Sequence, residues 1–381
     1  MKKIGILGST GSVGSQALEI INEYPEKFEL VFISGHTNFQ KLLEQKEKYN
    51  PKHICISDDS HYNNLKENII SDSNISGGYN GLLELCNMDV DIVLNSIMGY
   101  KGLYLSIQLI ENKIDLALSN KESIVQAGSI LTELAKKNNV NIFPVDSEHS
   151  ALWQCIIGEK IKSIDKLILT GSGGPFRTYK REDLYRIKKE QALKHPNWSM
   201  GNKITIDSAT MMNKGFEVIE AHWLFNISYD KIDIVVHPES IIHSMVKFID
   251  GSIKAQLSDP TMRIPIQYAL SYPERFINNN LQFDFTKNNK FSFEEVDYDK
   301  FRCIKLAYEA GRSGGTYPVV LNVANDLLVD LFLIDKIKFL DIEKVIEESL
   351  NNHSSISNPT IDDIKETVEC VETYIKNYKF N

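Results

Sequence analysis

The chain has 381 residues, of which 42% are hydrophobic and 24% charged, and it carries a formal net charge of -9 at pH 7. This length and balance are typical of a globular protein of two or three domains, and they exclude a disordered or fibrous chain. The acidic balance also excludes a general nucleic-acid binder, because there is no basic excess to neutralise phosphates along a duplex.

The first 145 residues alternate short β-rich runs with longer amphipathic stretches. The β-rich runs are 4–7, 30–33, 53–57, 92–94, 115–118 and 141–145. Such alternation predicts repeated βαβ units, in which each helix connects two parallel strands. We therefore expect the chain to begin with a Rossmann-like parallel sheet.

A glycine-rich turn, Gly8-Ser-Thr-Gly-Ser-Val-Gly14, lies between the first strand and a helical run at 16–22. Glycines let the backbone approach a pyrophosphate, and the following helix N-terminus offers N–H donors to it. The spacing is G-x-x-G-x-x-G rather than G-x-G-x-x-G, so a turn that only packs helix on strand stays an alternative. The context of strand and helix favours a dinucleotide site.

The second strand ends in Ser34-Gly-His-Thr-Asn38, with Lys41 nearby and no carboxylate. Sites for NAD commonly place an acidic residue here to bind the ribose 2′-hydroxyl. Without that acid there is space for a 2′-phosphate beside hydroxyl, amide and imidazole groups. The sequence therefore favours NADPH over NADH.

Beyond residue 160 the pattern changes. A strand at 166–169 leads into Thr170-Gly-Ser-Gly-Gly-Pro175 and a polar stretch up to residue 200, which predicts a long loop with a short helical portion. Two strand-like runs between 233 and 256 flank Asp250-Gly251, a favourable hairpin turn. An irregular segment after Pro273 precedes helical patterns from about 298 to the end.

Two carboxylates, Asp146 and Glu148, follow the strand at 141–145. At the two-residue period of a strand they point to one side, where they suit a hard cation such as Mg²⁺ or Mn²⁺. An acidic surface loop or a helix N-cap is the commoner role of such a pair.

A second polar cluster lies in the helical pattern at 207–217. Asn213 and Glu217 are four residues apart and share one helix face with Lys214 adjoining. An exposed polar face is one explanation, but Met212 and Phe216 indicate that much of this helix is buried. Buried charges need partners, and a metal or a phosphate would provide them.

Seven motifs together resemble the family of 1-deoxy-D-xylulose-5-phosphate reductoisomerases, in the family's order and over essentially the whole chain. They are Gly8-Ser-Thr-Gly-Ser-Val-Gly14, Leu118-Ser-Asn-Lys-Glu-Ser123, Val145-Asp-Ser-Glu-His-Ser150, Gly171-Ser-Gly-Gly-Pro-Phe176, His195-Pro-Asn-Trp-Ser-Met-Gly201, Asp207-Ser-Ala-Thr-Met-Met-Asn-Lys-Gly-Phe-Glu217 and His237-Pro-Glu-Ser-Ile-Ile-His-Ser244.

The resemblance implies an α/β protein that acts as a V-shaped homodimer. The expected parts are an NADPH-binding domain at 1–146, a central α/β catalytic and dimerisation domain at 147–272 with a lid at about 172–201, a linker at 273–297 and a C-terminal helical domain at 298–381. The implied reaction converts 1-deoxy-D-xylulose 5-phosphate into 2-C-methyl-D-erythritol 4-phosphate, in non-mevalonate isoprenoid synthesis. It proceeds by rearrangement to an aldehyde and hydride transfer from NADPH.

The resemblance also implies roles for individual residues. The metal ligands would be Asp146, Glu148 and Glu217, which hold Mn²⁺ or Mg²⁺, with Co²⁺ as a further option. Lys121 would act in catalysis with them. The substrate contacts would be Lys121, Ser147, Glu148, Ser172, His195, Trp198, Ser208, Asn213, Lys214, Glu217 and Ser240. The cofactor contacts would be Thr10, Gly11, Ser12, Val13, Gly35, His36, Asn38, Asn120, Lys121, Glu122 and Gly201.

Two features depart from the family. The segment 34–38 is less basic than in many relatives at the 2′-phosphate position, and 96–100 carries bulkier side chains near the expected nicotinamide entrance. Another NADP-dependent enzyme, such as a semialdehyde or homoserine dehydrogenase, and a catalytically silent nucleotide-binding paralogue are the alternatives. We expect His149, His222 and His237 to be structural.

Five scattered cysteines without a C-x-x-C pair indicate neither a disulfide framework nor a thiolate zinc site. The N-terminus runs straight into an apolar strand, and no apolar stretch approaches the length that spans a bilayer. We therefore expect a cytoplasmic protein that associates with neither membrane nor nucleic acid. The expected partners are a small phosphorylated sugar substrate and a second copy of the chain.

Overall fold

The computed structural model describes residues 1–68, 74–195, 197–198, 200–278 and 283–380. Residues 196 and 199 of the predicted lid, 279–282 of the predicted linker and the final residue, 381, lie outside this description. The chain forms two compact units. The first comprises Met1–Ser123, Ser129–Ser150 and Thr261–Asn279, and the second comprises Ile124–Gly128, Ala151–Pro260 and Asn280–Asn381.

The strands fall into two sheets. The first sheet contains β1 (Lys2–Leu7), β2 (Phe28–Gly35), β3 (His53–Ile56), β4 (Asn74–Gly77), β5 (Ile92–Asn95), β6 (Asp115–Leu118) and β7 (Ile142–Pro144). The second contains β8 (Ile164–Gly171), β9 (Ile232–Val236), β10 (Ile242–Phe248) and β11 (Ile253–Leu257).

The α-helices follow in chain order. They are α1 (Ser12–Glu23), α2 (Phe39–Tyr49), α3 (Tyr62–Asn68), α4 (Gly78–Leu85), α5 (Gly99–Glu111), α6 (Lys121–Asn138), α7 (Ser147–Ile156), α8 (Lys189–Ala192), α9 (Asn202–Ala209), α10 (Met212–Phe225), α11 (Arg263–Ser271), α12 (Arg302–Ser313), α13 (Tyr317–Leu333), α14 (Phe339–Asn351) and α15 (Ile361–Asn377). No helix of the described ranges is long and apolar enough to cross a membrane.

The first unit is built on the predicted parallel sheet. Its strand order is β4-β3-β2-β1-β5-β6-β7, and every pairing in it is parallel. The chain reverses its winding direction between β1 and β5, and ligands of such sheets bind in the crevice at the carboxyl ends of the strands there. The fold therefore places the glycine-rich turn after β1 at the usual nucleotide position.

The core of this unit lies along β1 and β2. Ile4, Ile6 and Phe32 are fully buried, and α1 covers the sheet with Leu18 and Ile20. Each such side chain contributes roughly 1.5–3 kcal/mol on burial. This apolar face holds α1, and with it the start of the helix, in a fixed place behind the turn.

The second unit combines a small mixed sheet with helices. Its strand order is β11-β10-β8-β9, in which β10 is antiparallel to both neighbours and β8 and β9 are parallel. The predicted hairpin turn is confirmed, with Gly251 at φ +86° and Asp250 accepting from the Ser252 amide. Four helices, α12 to α15, follow and confirm the helical C-terminal region. The exact division into domains at 146, 272 and 297 stays a prediction.

Candidate active site

The turn after β1 needs two of its glycines for different reasons. Gly8 has φ +87°, a left-handed conformation that glycine adopts without strain. Gly14 is buried in α1, and a Cβ there would lie 2.4 Å from the Gly8 carbonyl oxygen. The first position allows the turn, and the second lets helix and turn touch.

Polar side chains of α2 hold the turn by hydrogen bonds. The buried Ser9 hydroxyl donates to Gln45 Oε1 at 2.7 Å, and Gln45 Nε2 donates to the Ser9 carbonyl at 2.8 Å. The Lys41 ammonium donates to the Thr10 carbonyl at 2.8 Å. All three contacts come from α2, so this helix fixes the shape of the loop.

The start of α1 is open to a ligand. Gly11 is the N-cap and makes no side-chain capping bond, and both Gly11 and Ser12 are exposed, with Thr10 and Val13 partly so. The first amides of a helix have no partner within the helix, and they carry partial positive charge. These amides can receive a pyrophosphate, which fits the residues predicted here for NADPH.

The end of β2 carries the groups predicted for the 2′-phosphate. His36 Nδ1 lies 2.9 Å from Ser57 Oγ, and Asn38 Oδ1 accepts from the Lys41 amide at 3.0 Å. Buried Gly35 packs closely against Thr10, since a Cβ there would lie 3.1 Å from the threonine methyl group. With the Lys41 ammonium at the same edge, the local set of donors fits a phosphate better than a ribose hydroxyl.

Buried polar residues mark the start of α6. Asn120 caps the helix by accepting from the Ser123 amide at 3.1 Å, and its Nδ2 donates to the Ile97 carbonyl at 2.5 Å. The next residue, Lys121, is 8% exposed and pairs with Asp146 at 2.6 Å, while Glu122 is equally buried. The Lys121 ammonium is therefore held in place by a carboxylate.

The predicted strand geometry of the acidic pair was wrong. β7 ends at Pro144 and α7 begins at Ser147, so Asp146 precedes a helix and Glu148 lies in its first turn. The two-residue period of a strand does not apply to them, because neither residue belongs to the strand. The Ser147 hydroxyl donates to Glu148 Oε2 at 2.5 Å and orients that carboxylate instead.

In the second unit, Ser172 and His195 form a hydrogen-bonded pair. His195 Nδ1 accepts from the Asn197 amide at 3.2 Å and the Trp198 amide at 3.0 Å, so this nitrogen carries no proton. The proton of a neutral ring then lies on Nε2, which is 3.2 Å from Ser172 Oγ. Ser172 Oγ also accepts from the Gly174 amide, which leaves its own proton for a ligand.

A cavity of about 570 Å³ lies beside Ser172 within this unit. Its lining includes Arg177 and Lys194 as well as the turn around Gly174. Arg177 is paired with Glu294. The cavity is large enough for a small phosphorylated molecule, and its charged lining suits an anion.

Helix α10 carries the second polar cluster, and it is not an exposed helix. Glu217 is fully buried and accepts from Asn213 Nδ2 and from the Lys214 ammonium, each at 2.5 Å. Lys214 is 5% exposed and also donates to the Thr170 carbonyl at 2.9 Å. The predicted face of Asn213, Lys214 and Glu217 forms one hydrogen-bonded cluster, in which Lys214 and Glu217 are buried and Asn213 is half-buried.

The short connection between α9 and α10 sets the direction of this cluster. Met211 is buried and has φ +61°, which is unusual for a residue with a side chain. Ser208 lies just before it, and its carbonyl oxygen would be 2.5 Å from a Cβ on Gly174. The turn at 172–174 is therefore packed directly against the end of α9.

The segment predicted to be the lid contacts the neighbouring loop before β10 through Asn197. Its Nδ2 donates to Ser240 Oγ and to the Pro238 carbonyl, both at 2.7 Å. The Trp198 ring lies 6.4 Å from the ring of His243, whose Nε2 bonds to Ser258. Sequence reasoning missed Asn197 and His243 as candidates, although both belong to motifs that it had singled out.

Other predicted residues lie apart from these clusters. Gly201 is the exposed N-cap of α9 in the second unit. His222 stacks on Tyr229 at 4.2 Å, and His237 bonds to the Ser292 carbonyl at 2.9 Å, as structural residues would. His149 is fully buried on α7.

Three family models match the chain along almost its whole length. The model for 1-deoxy-D-xylulose 5-phosphate reductoisomerase matches residues 4–128, and models for C-terminal domains of the same enzyme match 142–225 and 257–373. The chain is 51% identical to the reductoisomerase of Thermoanaerobacter pseudethanolicus over 365 residues, which cover 96% of each protein. It is 48% identical to that of Bacillus subtilis over 380 residues, or 99% of each.

Solved structures give the same result. The reductoisomerase of Zymomonas mobilis in complex with NADPH has a TM-score of 0.93 and 37% identity, covering 98% of this chain and 97% of that one. A reductoisomerase in complex with NADPH, fosmidomycin and magnesium has a TM-score of 0.93 and 35% identity, with coverage of 99% and 98%. The chain belongs to the 1-deoxy-D-xylulose 5-phosphate reductoisomerase family.

Proposed function

We propose that the chain catalyses the NADPH- and divalent-metal-dependent conversion of 1-deoxy-D-xylulose 5-phosphate to 2-C-methyl-D-erythritol 4-phosphate, a step of non-mevalonate isoprenoid synthesis. The main support for this function is membership of the family over the full length of the chain, which is 51% and 48% identical in sequence to two curated relatives. Relatives of this fold bind NADPH and magnesium. The reaction rearranges the carbon skeleton to an aldehyde, which then takes a hydride from NADPH.

NADPH would bind the first unit. The open N-terminus of α1, with Gly11 and Ser12, would receive the pyrophosphate, and Asn38 and Lys41 would lie toward the 2′-phosphate. The support is local: two glycines that tolerate no side chain and a helix start without a side-chain cap. Gly201, the exposed N-cap of α9, stays among the proposed cofactor contacts.

A divalent cation would be held by Asp146, Glu148 and Glu217. The donor set fits a hard cation, because all three groups are carboxylates and Glu217 is fully buried. When bound, such a cation polarises a carbonyl and an adjacent hydroxyl and stabilises negative charge on their oxygens. Magnesium is the cation found in solved relatives, and manganese and cobalt are proposed as substitutes.

The chain's own residues would bind and orient the sugar phosphate. Ser172 has a proton to donate and is oriented by His195, and Ser208, Asn213 and Lys214 lie on the neighbouring helices of the same unit. Neutral donors with one ammonium can hold a small dianion and select its shape. Ser147, Trp198 and Ser240 would add contacts to the carbon chain.

Lys121 is the proposed proton carrier near the reacting carbons. Its ammonium is held by Asp146 at 2.6 Å, and the residue is buried. A lysine in this position can stabilise negative charge that develops on a substrate oxygen, and it can donate a proton there. Asn120 and Glu122 would hold it and the nicotinamide in place.

The segment at about 172–201 would act as the lid. Its first half is tied to the C-terminal helices, because Arg181 bonds to Glu343 at 3.0 Å and Lys189 bonds to Asp335 at 2.5 Å. The second half, around Trp198, contacts β10 residues and their neighbours. Closure of that half would exclude water from the aldehyde and protect it.

We further propose a homodimer in the cytoplasm. Strand β11 is the edge of its sheet, and its residues Ile253 to Ala255 are exposed, with Ile253 at 54%. An exposed edge of this kind can pair with the same strand of a second copy about a twofold axis. Sedimentation of the chain and of Ile253→Lys tests the dimer.

All five cysteines are free thiols, which suits the reducing compartment proposed for the protein.

The reaction is tested with purified protein, 1-deoxy-D-xylulose 5-phosphate and NADPH, with magnesium and again after chelation. Oxidation of NADPH that stops on chelation and returns with magnesium supports the proposal. Oxidation with a semialdehyde but not with the sugar phosphate would identify another dehydrogenase instead. A folded protein that binds NADPH and turns over neither substrate would be a silent paralogue.

A further inference from the structure

A buried carboxylate on α9 is held by the C-terminal helices. Asp207 is 2% exposed, and both of its oxygens are bonded. Oδ1 accepts from Asn325 Nδ2 at 2.7 Å, and Oδ2 pairs with Lys203 at 2.9 Å. Asn325 lies on α13, is fully buried and stands 118 residues further along the chain. The bond therefore joins two distant parts of the second unit.

The same residue also supports the connection between α9 and α10. The Asp207 carbonyl accepts from Thr210 Oγ1 at 3.2 Å, and that hydroxyl accepts from the Met212 amide at 3.3 Å. Met212 is the first residue of α10. Asp207 is thus bonded through its side chain to α13 and through its backbone to the start of the helix that carries Asn213 and Lys214.

Ser208 follows Asp207 directly and packs against the turn that contains Ser172. Its carbonyl oxygen lies so close to Gly174 that a Cβ there would be 2.5 Å away. A displacement of Asp207 must therefore move Ser208 and disturb the turn beside it. The proposed phosphate-binding residues therefore depend on the position of α9, which Lys203 also ties to α13 through Asp326 at 2.9 Å.

We infer that Asn325, through Asp207, is a positioning residue for the phosphate-binding groups of the second unit. This inference rests on the proposed function. An unpaired carboxylate oxygen is costly to bury, so loss of the Asn325 amide shifts the C-terminal end of α9, where Asp207 lies, until the oxygen regains a partner. The substrate phosphate then meets misplaced donors at Ser208 and Asn213, while the NADPH groups of the first unit are unaffected.

The test is Asn325→Leu, which keeps the branching of the side chain at Cγ, in a somewhat larger volume, but removes the amide. We expect the KM for 1-deoxy-D-xylulose 5-phosphate to rise about tenfold, as for one lost hydrogen bond to a charged group. The KM for NADPH should stay within about twofold of the wild-type value. Asn325→Ser removes the same contact and serves if the leucine variant does not fold.

A control variant separates positioning from stability. Thr316→Val breaks a buried hydrogen bond to His353 at the N-terminal end of α13, so it should lower the melting temperature without raising the substrate KM.

The outcomes distinguish this inference from the proposed function. A wild-type protein that neither binds the sugar phosphate in calorimetry nor turns it over overturns the proposed function. A wild-type protein that does both, with Asn325→Leu losing thermal stability at unchanged KM, overturns only the positioning role.

Discussion

Nε2 of His195 lies 3.2 Å from Oγ of Ser172, and its Nδ1 accepts two backbone amides of the lid. The lid backbone thus fixes which ring nitrogen carries the proton. This relationship connects lid position with the donor that faces the serine. It also gives a direct reason for a histidine, because both ring nitrogens are used with opposite roles.

Ser172→Ala should mainly weaken substrate binding. The variant loses a hydroxyl donor to the phosphate and the partner of His195. The KM for the sugar phosphate should therefore rise about tenfold, with a smaller change in kcat. Steady-state kinetics with varied sugar phosphate measure this. Ser163→Ala, on the far end of β8 where the hydroxyl bonds only the local Lys160 carbonyl, is the control. Unchanged substrate affinity in Ser172→Ala would count against the phosphate assignment.

Glu217→Gln should lose most activity. The amide keeps the shape of the side chain but removes the negative charge that a divalent cation requires, so turnover should fall by about a hundredfold or more. Fluorescence titration should give unchanged NADPH affinity, since Glu217 is not among the proposed cofactor contacts. Glu369→Gln, on exposed α15, should match the wild type. Wild-type turnover in Glu217→Gln refutes the ligand role.

Lys41→Met should lower the preference for NADPH over NADH. The ammonium is the cationic group at the carboxyl end of β2 that sequence reasoning singled out, and its loss removes roughly 1–2 kcal/mol from binding of a 2′-phosphate. The ratio of kcat/KM for the two cofactors should fall by about tenfold or more. Lys48→Met lies on the same helix, away from the turn, and should leave the ratio unchanged. An unchanged ratio in Lys41→Met would place the 2′-phosphate elsewhere.

His222 should make stability depend on pH. Burial lowers the pKa of its imidazole from 6.5, so the unfolded chain binds a proton at a pH where the folded chain does not. The contribution of His222 to the free energy of unfolding is therefore fully present above pH 6.5. It is lost as the pH falls toward the lowered pKa of the folded state. Urea unfolding of His222→Gln should show a shallower loss of stability between pH 7 and 5 than the wild type. Equal slopes in the two proteins contradict this contribution.

Much of the fold could be predicted because it depends on local patterns. Six strands of the parallel sheet appear as β-rich runs, and the buried face of α10 follows from helical spacing. Strand β4 was not predicted, since Asn74-Ile-Ser-Gly77 offers one apolar side chain at a sheet edge. The end of β7 at Pro144 was also missed, and with it the helical position of Glu148.

The candidate site was predicted by motif more than by geometry. Residue types and spacing indicated carboxylates, serines and a glycine-rich turn. They could not indicate the bond between Asp207 and Asn325, because a contact across 118 residues leaves no local pattern. The orientation of His195 was equally hidden, since backbone amides of the folded lid determine it.

The most direct test of the central claim is the carbon skeleton of the product. Purified protein is given carbon-13-labelled 1-deoxy-D-xylulose 5-phosphate, NADPH and magnesium, and the product is identified by NMR while NADPH oxidation is followed. We predict that one branched methylerythritol phosphate is formed for each NADPH oxidised, and that none is formed after chelation. An unbranched reduced sugar phosphate, or no product from a folded protein that binds NADPH, would contradict it.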